Sequence, residues 1–172
     1  MKLSNTWSLN IYILCCFSFL LVTACSRHLR PDADGEGFTT ADQHASSPKK
    51  DNVWVFILAG QSNMAGRGEI EPADTVAHHR ILSINSSGEL IHAREPLHFY
   101  EPRMAGLDCG LSFGRTLIQH LPDSITILLL PTAVGGSSID QWLGDSVHRD
   151  VPLLSNFREK VQIGLREGVI KG

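Results

Sequence analysis

Val53-Trp54-Val55-Phe56-Ile57-Leu58-Ala59 is an unbroken apolar run, hemmed in by Asp51-Asn52 before it and Gly60 after it. It is too short for an amphipathic helix and lacks the alternating polar positions of a half-solvated strand. It therefore predicts a strand buried on both faces, the kind found inside a parallel sheet. Ile125 to Leu130 repeats the pattern and stops at Pro131. Between the two runs, Leu111, Gly114, Leu117, Ile118 and Leu121 share one face at helical spacing. Leu154, Phe157, Val161, Leu165 and Val169 do the same for a last helix. Ile81-Leu82-Ser83-Ile84 and Leu90-Ile91-His92, split by Ser86-Ser87-Gly88, predict a small hairpin excursion. Buried strands alternating with amphipathic helices predict an α/β fold: three layers, doubly wound, with a mostly parallel sheet. Only two central strands are legible, where such a sheet usually has about five. Lys171-Gly172 follow directly on a helix that should lead into another strand, so the fold is expected to be incomplete at its C-terminus.

The N-terminal residues are of a different kind. Lys2 is the only charge before Arg27, and Ile11 to Val22 is almost wholly apolar. That stretch is short for a membrane span and has the length of a signal-peptide core. It ends in Leu21-Val22-Thr23-Ala24-Cys25, which resembles a bacterial lipoprotein signal, where cleavage precedes a cysteine that then takes a lipid. Ser26 to Asp51 is polar, carries Pro31, Gly35, Gly37 and Pro48, and lacks hydrophobic periodicity. The chain thus divides into a signal peptide at 1–24, a lipidated Cys25 with a disordered tether at 25–51, and a folded domain at 52–172. The expected location is a bacterial cell envelope, on the periplasmic or outer-membrane face, with the membrane held through Cys25. Cleavage would leave Cys109 as the only thiol without lipid, and it is expected to be a small packing residue. A net charge of −3 gives no reason to expect nucleic acid. The eight histidines are scattered and show no zinc-type spacing with cysteine, so neither a metal nor a cofactor is expected.

The first buried strand runs into Gly60-Gln61-Ser62-Asn63-Met64-Ala65-Gly66-Arg67-Gly68. In open α/β sheets ligands bind beyond the carboxyl ends of the strands, where this loop must lie. A P-loop would need Gly-Lys-Ser/Thr, which is absent. A dinucleotide fingerprint starting at Gly66 would need glycine where Glu71 stands, and the strained serine elbow of the α/β-hydrolases would need glycine where Met64 stands. Gly-Gln-Ser-Asn-Met after the first strand instead resembles the first block of the SGNH (GDSL-like) hydrolases, in the branch of sialate O-acetylesterases and acetylxylan esterases. Two further segments resemble that branch: Gly110-Leu111-Ser112-Phe113-Gly114, and Ala133-Val134-Gly135-Gly136-Ser137-Ser138-Ile139-Asp140-Gln141-Trp142. The resemblance covers the whole folded part.

The resemblance implies a flavodoxin-like SGNH fold and a serine esterase that removes acetyl groups from carbohydrate (sialic acid, xylan or another glycan). Ser62 would be the nucleophile, and its N–H one oxyanion donor. Gly110 would give a second donor N–H, at a place where a side chain would crowd the substrate. Gln61 and Asn63 would brace the loop, Gly135 and Gly136 would let backbone run close to the pocket, and Asp140 or Trp142 would shape its wall. Ser137 and Ser138 read as caps for a helix starting near Ile139. Two later blocks of the family are missing: a His-Gln-Gly-Glu type motif, and the Asp-x-x-His that supplies the base. Asp145-Ser146-Val147-His148 has that spacing but lies upstream of the last helix, where the family has no base, and reads as a decoy. His78, His79, His92, His98 and His120 have no aspartate at that spacing and are expected in surface or loop roles. Gly106-Leu107-Asp108-Cys109-Gly110 departs from the glycine- and proline-rich form usual in its block. The competing expectation is a lipoprotein that binds a glycan without cleaving it, or an inactive fragment.

Overall fold

The structure, a computed structural model, describes residues 48–172. The expected signal peptide, Cys25 and the tether up to residue 47 lie outside the described residues. A 3₁₀ turn at Lys50–Asn52 leads into β1 (Val53–Leu58), α1 (Ser62–Ala65) and a second 3₁₀ turn at Pro72–Thr75. There follow β2 (Ile81–Ile84), β3 (Leu90–His92), α2 (Gly110–Ile118), β4 (Thr126–Pro131) and α3 (Ile139–Leu143). The short strands β5 (Val147–His148) and β6 (Val151–Pro152), then α4 (Leu153–Glu167) and β7 (Val169–Ile170), complete the order.

The main sheet runs β3-β2-β4-β1-β7. β1 is parallel to β4 and to β7, β2 is parallel to β4, and only β3 is antiparallel. β4, buried at every position, is the centre of the core. Its alternating side chains serve two layers. Ile127 and Leu129 pack with Leu58, Ile81, Leu111 and Ile118 on the α2 side. Leu128 and Leu130 pack with Val53, Val55, Leu82, Ile84 and Ile163 on the α4 side. Each such side chain contributes about 1.5–3 kcal/mol of burial. Helices on both faces of a mostly parallel sheet give the three-layer α/β architecture.

Three expectations need correction. The hairpin is no excursion: β2 is a full member of the sheet, with Ile81 opposite Ile127 and Leu82 opposite Leu128, and polar Ser83 is buried within it. The last helix ends at Glu167 and does lead into a strand, so Val169 belongs to β7. Its buried face is Leu153, Asn156, Lys160, Ile163 and Gly164, whereas Leu165 of the expected stripe is exposed. Gly164 decides between the two stripes. A Cβ there would lie 3.0 Å from Val55 and 3.1 Å from Leu130, so the bare glycine lets α4 settle on the sheet along that side. β1 is buried at Val53, Val55 and Leu58 but only partly at Trp54, Phe56 and Ile57. Its neighbour β7 pairs with it at just Trp54 and Val55, and the Lys171 ammonium lies 4.9 Å from the Trp54 ring centroid.

Candidate active site

β1 delivers its chain through Ala59-Gly60-Gln61 to Ser62, the first residue of α1. Gln61 is the N-cap, and its Oε1 accepts the backbone N–H of Ser62 at 2.6 Å. The same oxygen accepts the Ser62 hydroxyl. Gln61 therefore braces the loop as expected, whereas Asn63 is exposed and its side chain makes no hydrogen bond among the described residues. Gly66 ends α1 at φ +77, with its N–H on the Ser62 carbonyl at 3.1 Å. A Cβ at Gly66 would lie 2.8 Å from Asp108 Cβ, so the serine loop and the start of α2 are in close contact.

The third block, at the end of β4, is fixed by charge. The Gly135 N–H donates to Glu101 Oε2 at 2.5 Å, and its carbonyl accepts from His148 Nε2 at 2.9 Å and Arg149 Nε at 3.0 Å. Arg67, just past α1, reaches the same Glu101 oxygen at 2.8 Å, and Arg149 approaches the other at 3.2 Å. A Cβ at Gly135 would collide with Arg67 and Glu101, which is why glycine stands there. Gly136 follows with φ +76 and turns the chain toward α3. Burial pushes the Glu101 carboxyl up, but the Gly135 N–H, the Arg67 hydrogen bond and the charges of Arg67 and Arg149 outweigh it and hold it below the ordinary value.

Ser138 caps α3 as expected, in a reciprocal box with Gln141. Ser137 Oγ instead accepts the Trp142 indole N–H at 2.9 Å. Trp142 thereby forms a wall of a cleft of about 410 Å³ that also includes Gly60, Gln61, Ile139, Leu154 and Phe157. Asp140 is exposed and not among the cleft residues.

Asp145 and His148 do not form a pair. The Asp145 carboxylate accepts the N–H and hydroxyl of Ser155 at 2.8 and 2.5 Å, capping the first turn of α4, and these bonds hold its pKa below the ordinary value. His148 Nε2 is on the Gly135 carbonyl, and its Nδ1 is 3.5 Å from Gln141 Nε2.

Around Gly110 the structure departs furthest from expectation. The Gly110 N–H donates to Asp108 Oδ1 at 2.6 Å. A Cβ on Gly110 would lie 2.5 Å from Leu58 and 2.9 Å from Leu97, so the core crowds this position. His98, expected in a surface or loop role, is 2% exposed and pairs with Asp108 through Nδ1 to Oδ2 at 2.8 Å. This is the geometry of a base held by an aspartate, but Nε2 faces the Leu58 carbonyl at 3.5 Å. Glu95, 3% exposed, lies beside them, and burial followed by the charge of Asp108 raises its pKa to about 7. Cys109 is exposed rather than packed, with Sγ 3.8 Å from Met64 Sδ. No local spacing marks either group: His98 and Asp108 are ten residues apart on the connection between β3 and α2, and the Arg67–Glu101–Gly135 clamp joins separate loops.

A mostly parallel α/β sheet of this kind, with its glycine-bearing loops at the carboxyl ends of the strands, has the SGNH esterase fold. The family model described as "Carbohydrate esterase, sialic acid-specific acetylesterase" matches residues 52–170, and the chain belongs to that family. It is 33% identical over 105 residues to the "Probable carbohydrate esterase At4g34215" of Arabidopsis thaliana, covering 51% of this chain and 40% of the relative. The crystal structure of the protein from Arabidopsis thaliana AT4G34215 superposes with a TM-score of 0.58 at 27% identity, over 71% of this chain and 55% of that one. A structure titled "Crystal structure of NanS" gives a TM-score of 0.49 at 20% identity, over 72% and 51% of the two chains. The chain thus spans about half the length, or less, of the proteins it matches.

Proposed function

We propose that this chain carries the nucleophile of a carbohydrate O-acetylesterase, with Ser62 as the attacking residue. The observation that supports it best is the placement of Ser62 in the first turn after β1, with its hydroxyl held by Gln61, in a chain of the carbohydrate esterase family. Ser62 Oγ attacks the acetyl carbonyl, the ester C–O bond breaks, and the sugar leaves as an alcohol that takes up the proton lost by Oγ. Water then cleaves the acetyl-serine to acetate and restores the hydroxyl. The substrate is an acetylated glycan of the sialic acid or xylan type, and Trp142 offers one wall of the cleft beside Gln61.

The Asp145–His148 segment is not the base in this reading, since its two side chains serve α4 and Gly135. Without a base, turnover falls by about 10⁴–10⁶, so the chain is expected to be weakly active at best. The test is hydrolysis of p-nitrophenyl acetate by the chain beside its Ser62→Ala and His148→Ala variants. Release that vanishes in Ser62→Ala and persists in His148→Ala is expected, and release that survives Ser62→Ala overturns the assignment. The same proposal sets the protein at a bacterial envelope by a lipid on Cys25. Fatty-acid labelling that persists in Cys25→Ala would overturn that part.

A further inference from the structure

Acyl transfer at Ser62 needs N–H donors for the oxyanion, and the two that the family resemblance implies, those of Ser62 and Gly110, are both occupied by side chains of the protein. The Ser62 N–H is on Gln61 Oε1 at 2.6 Å and the Gly110 N–H is on Asp108 Oδ1 at 2.6 Å. The geometry points to Asp108, clamped by His98, as a latch on the Gly110 donor, and to this structure as the closed form of the site. The inference rests on the proposed role of Ser62 and on the donor role that the resemblance implies for Gly110.

The two acceptors are not alike. Gln61 offers a neutral amide oxygen on a half-buried side chain next to the cleft, and a rotamer change releases it. Asp108 offers a carboxylate whose side chain is 0% exposed, with its other oxygen fixed by His98 Nδ1 at 2.8 Å. A hydrogen bond to an ionised acceptor is roughly twice as strong as a neutral one. The clamp has little room to yield. His98 is 2% exposed with Nε2 toward the Leu58 carbonyl, and Glu95, 3% exposed, closes the cluster as its third titratable group. Asp108 also lies against the serine loop, 2.8 Å from where a Cβ on Gly66 would stand, so the latch sits between α1 and α2. An oxyanion forming at Ser62 would compete with a buried carboxylate for the Gly110 N–H, and the carboxylate wins until it is displaced or removed.

The experiment uses the full chain and an alkyl fluorophosphonate followed by intact mass. Ser62 Oγ bonds to phosphorus, the P–F bond breaks, fluoride leaves, and buffer takes the hydroxyl proton. Asp108→Ala frees the Gly110 N–H and is expected to label about tenfold faster or more than the parent, a modest share of what one donor is typically worth. Asp108→Asn keeps an acceptor but a neutral one, and is expected to fall between the two. Labelling of Asp108→Ala at or below the parent rate overturns the latch. If Asp108→Ala fails to fold, an unchanged rate in Asp108→Asn overturns it instead. Amide exchange at Gly110 separates a latch from a plain helix cap, because faster exchange without faster labelling leaves only the cap. Labelling that persists in Ser62→Ala overturns the nucleophile assignment itself, which the Asp108 variants alone cannot do.

Discussion

Glu95 and Glu101 lie on the same connection between β3 and α2 and are nearly equally buried, at 3% and 7% exposed. They titrate in opposite directions. Glu101 collects the Gly135 N–H and two arginines, which overcome its burial. Glu95 has no cation. Burial and the charge of Asp108 push it up to about 7, the N–H groups of Leu97 and Asp108 oppose this only in part, and Oε1 has no partner. Burial raises both carboxyls, and it is the cations and the N–H at Glu101 that reverse the direction there. Around Glu101 the partners come from the serine loop, the β4 loop and the β5–β6 turn, so an ionised carboxylate holds three loops together. Around Glu95 the charges that act on it are those of Asp108 and Asp74, which favour the neutral form.

The largest expected effect breaks the first half of this comparison. Glu101→Ala leaves Arg67 and the Gly135 N–H without their acceptor, and should remove about 3–5 kcal/mol of stability, measured by urea unfolding. A loss no larger than that of an ordinary surface change would erase the contrast. Next comes pH. For Glu95 the folded-state pKa of about 7 lies above the ordinary 4.5, so the folded state holds its proton longer than the unfolded chain. Its contribution is complete below pH 4.5 and is lost as pH rises through about 7. The fall is about 3 kcal/mol for a single site, and Glu95→Gln should flatten it. Glu101 runs the other way, because its pKa is lowered: its stabilisation is present above its ordinary value and is lost as pH falls through the folded one. Arg149→Gln is a milder probe, since Arg149 is 43% exposed and Arg67 stays in place. A loss of about 1 kcal/mol or less is expected, and a loss as large as that of Glu101→Ala would mean that Arg149 carries the clamp. The smallest effect sharpens the second half. Asp108→Asn should move the Glu95 titration down toward its ordinary value, read by carbon-13 NMR of the carboxyl. An unmoved titration would leave burial, with the charge of Asp74, as its cause.

These pairings also mark how far the sequence could be read. β4 was legible because burial on both faces writes an apolar run; β1 was legible as a strand from the same kind of run, although Trp54, Phe56 and Ile57 are only partly buried. Ser138 was legible because a cap and its box lie within one turn. Local evidence failed where the partner is distant. Arg67 and Glu101 meet across loops, His98 and Asp108 meet within one long connection, and no period announces either pair. Asp145 and His148 show the reverse case: a spacing of three imitates a dyad and reads from the sequence as a decoy, and the carboxylate reaches Ser155 while the imidazole reaches Gly135. The buried face of α4 was misread because two stripes compete at helical spacing, and only contact with Val55 and Leu130 selects the one with Gly164.

The placement of β1 has a kinetic consequence. Trp54 pairs with Ile127 on one side and with Val169 on the other. Both partners leave the ribosome long after β1, and synthesis proceeds at roughly 5–20 residues per second. For many seconds the strand that carries Ser62 has no neighbour, and closing such long loops is slow in any case. The strand that leads to Ser62 is thus made well before either partner, so a nascent chain exposes Val53 to Leu58 to chaperones, or to other nascent chains, until β4 and β7 follow.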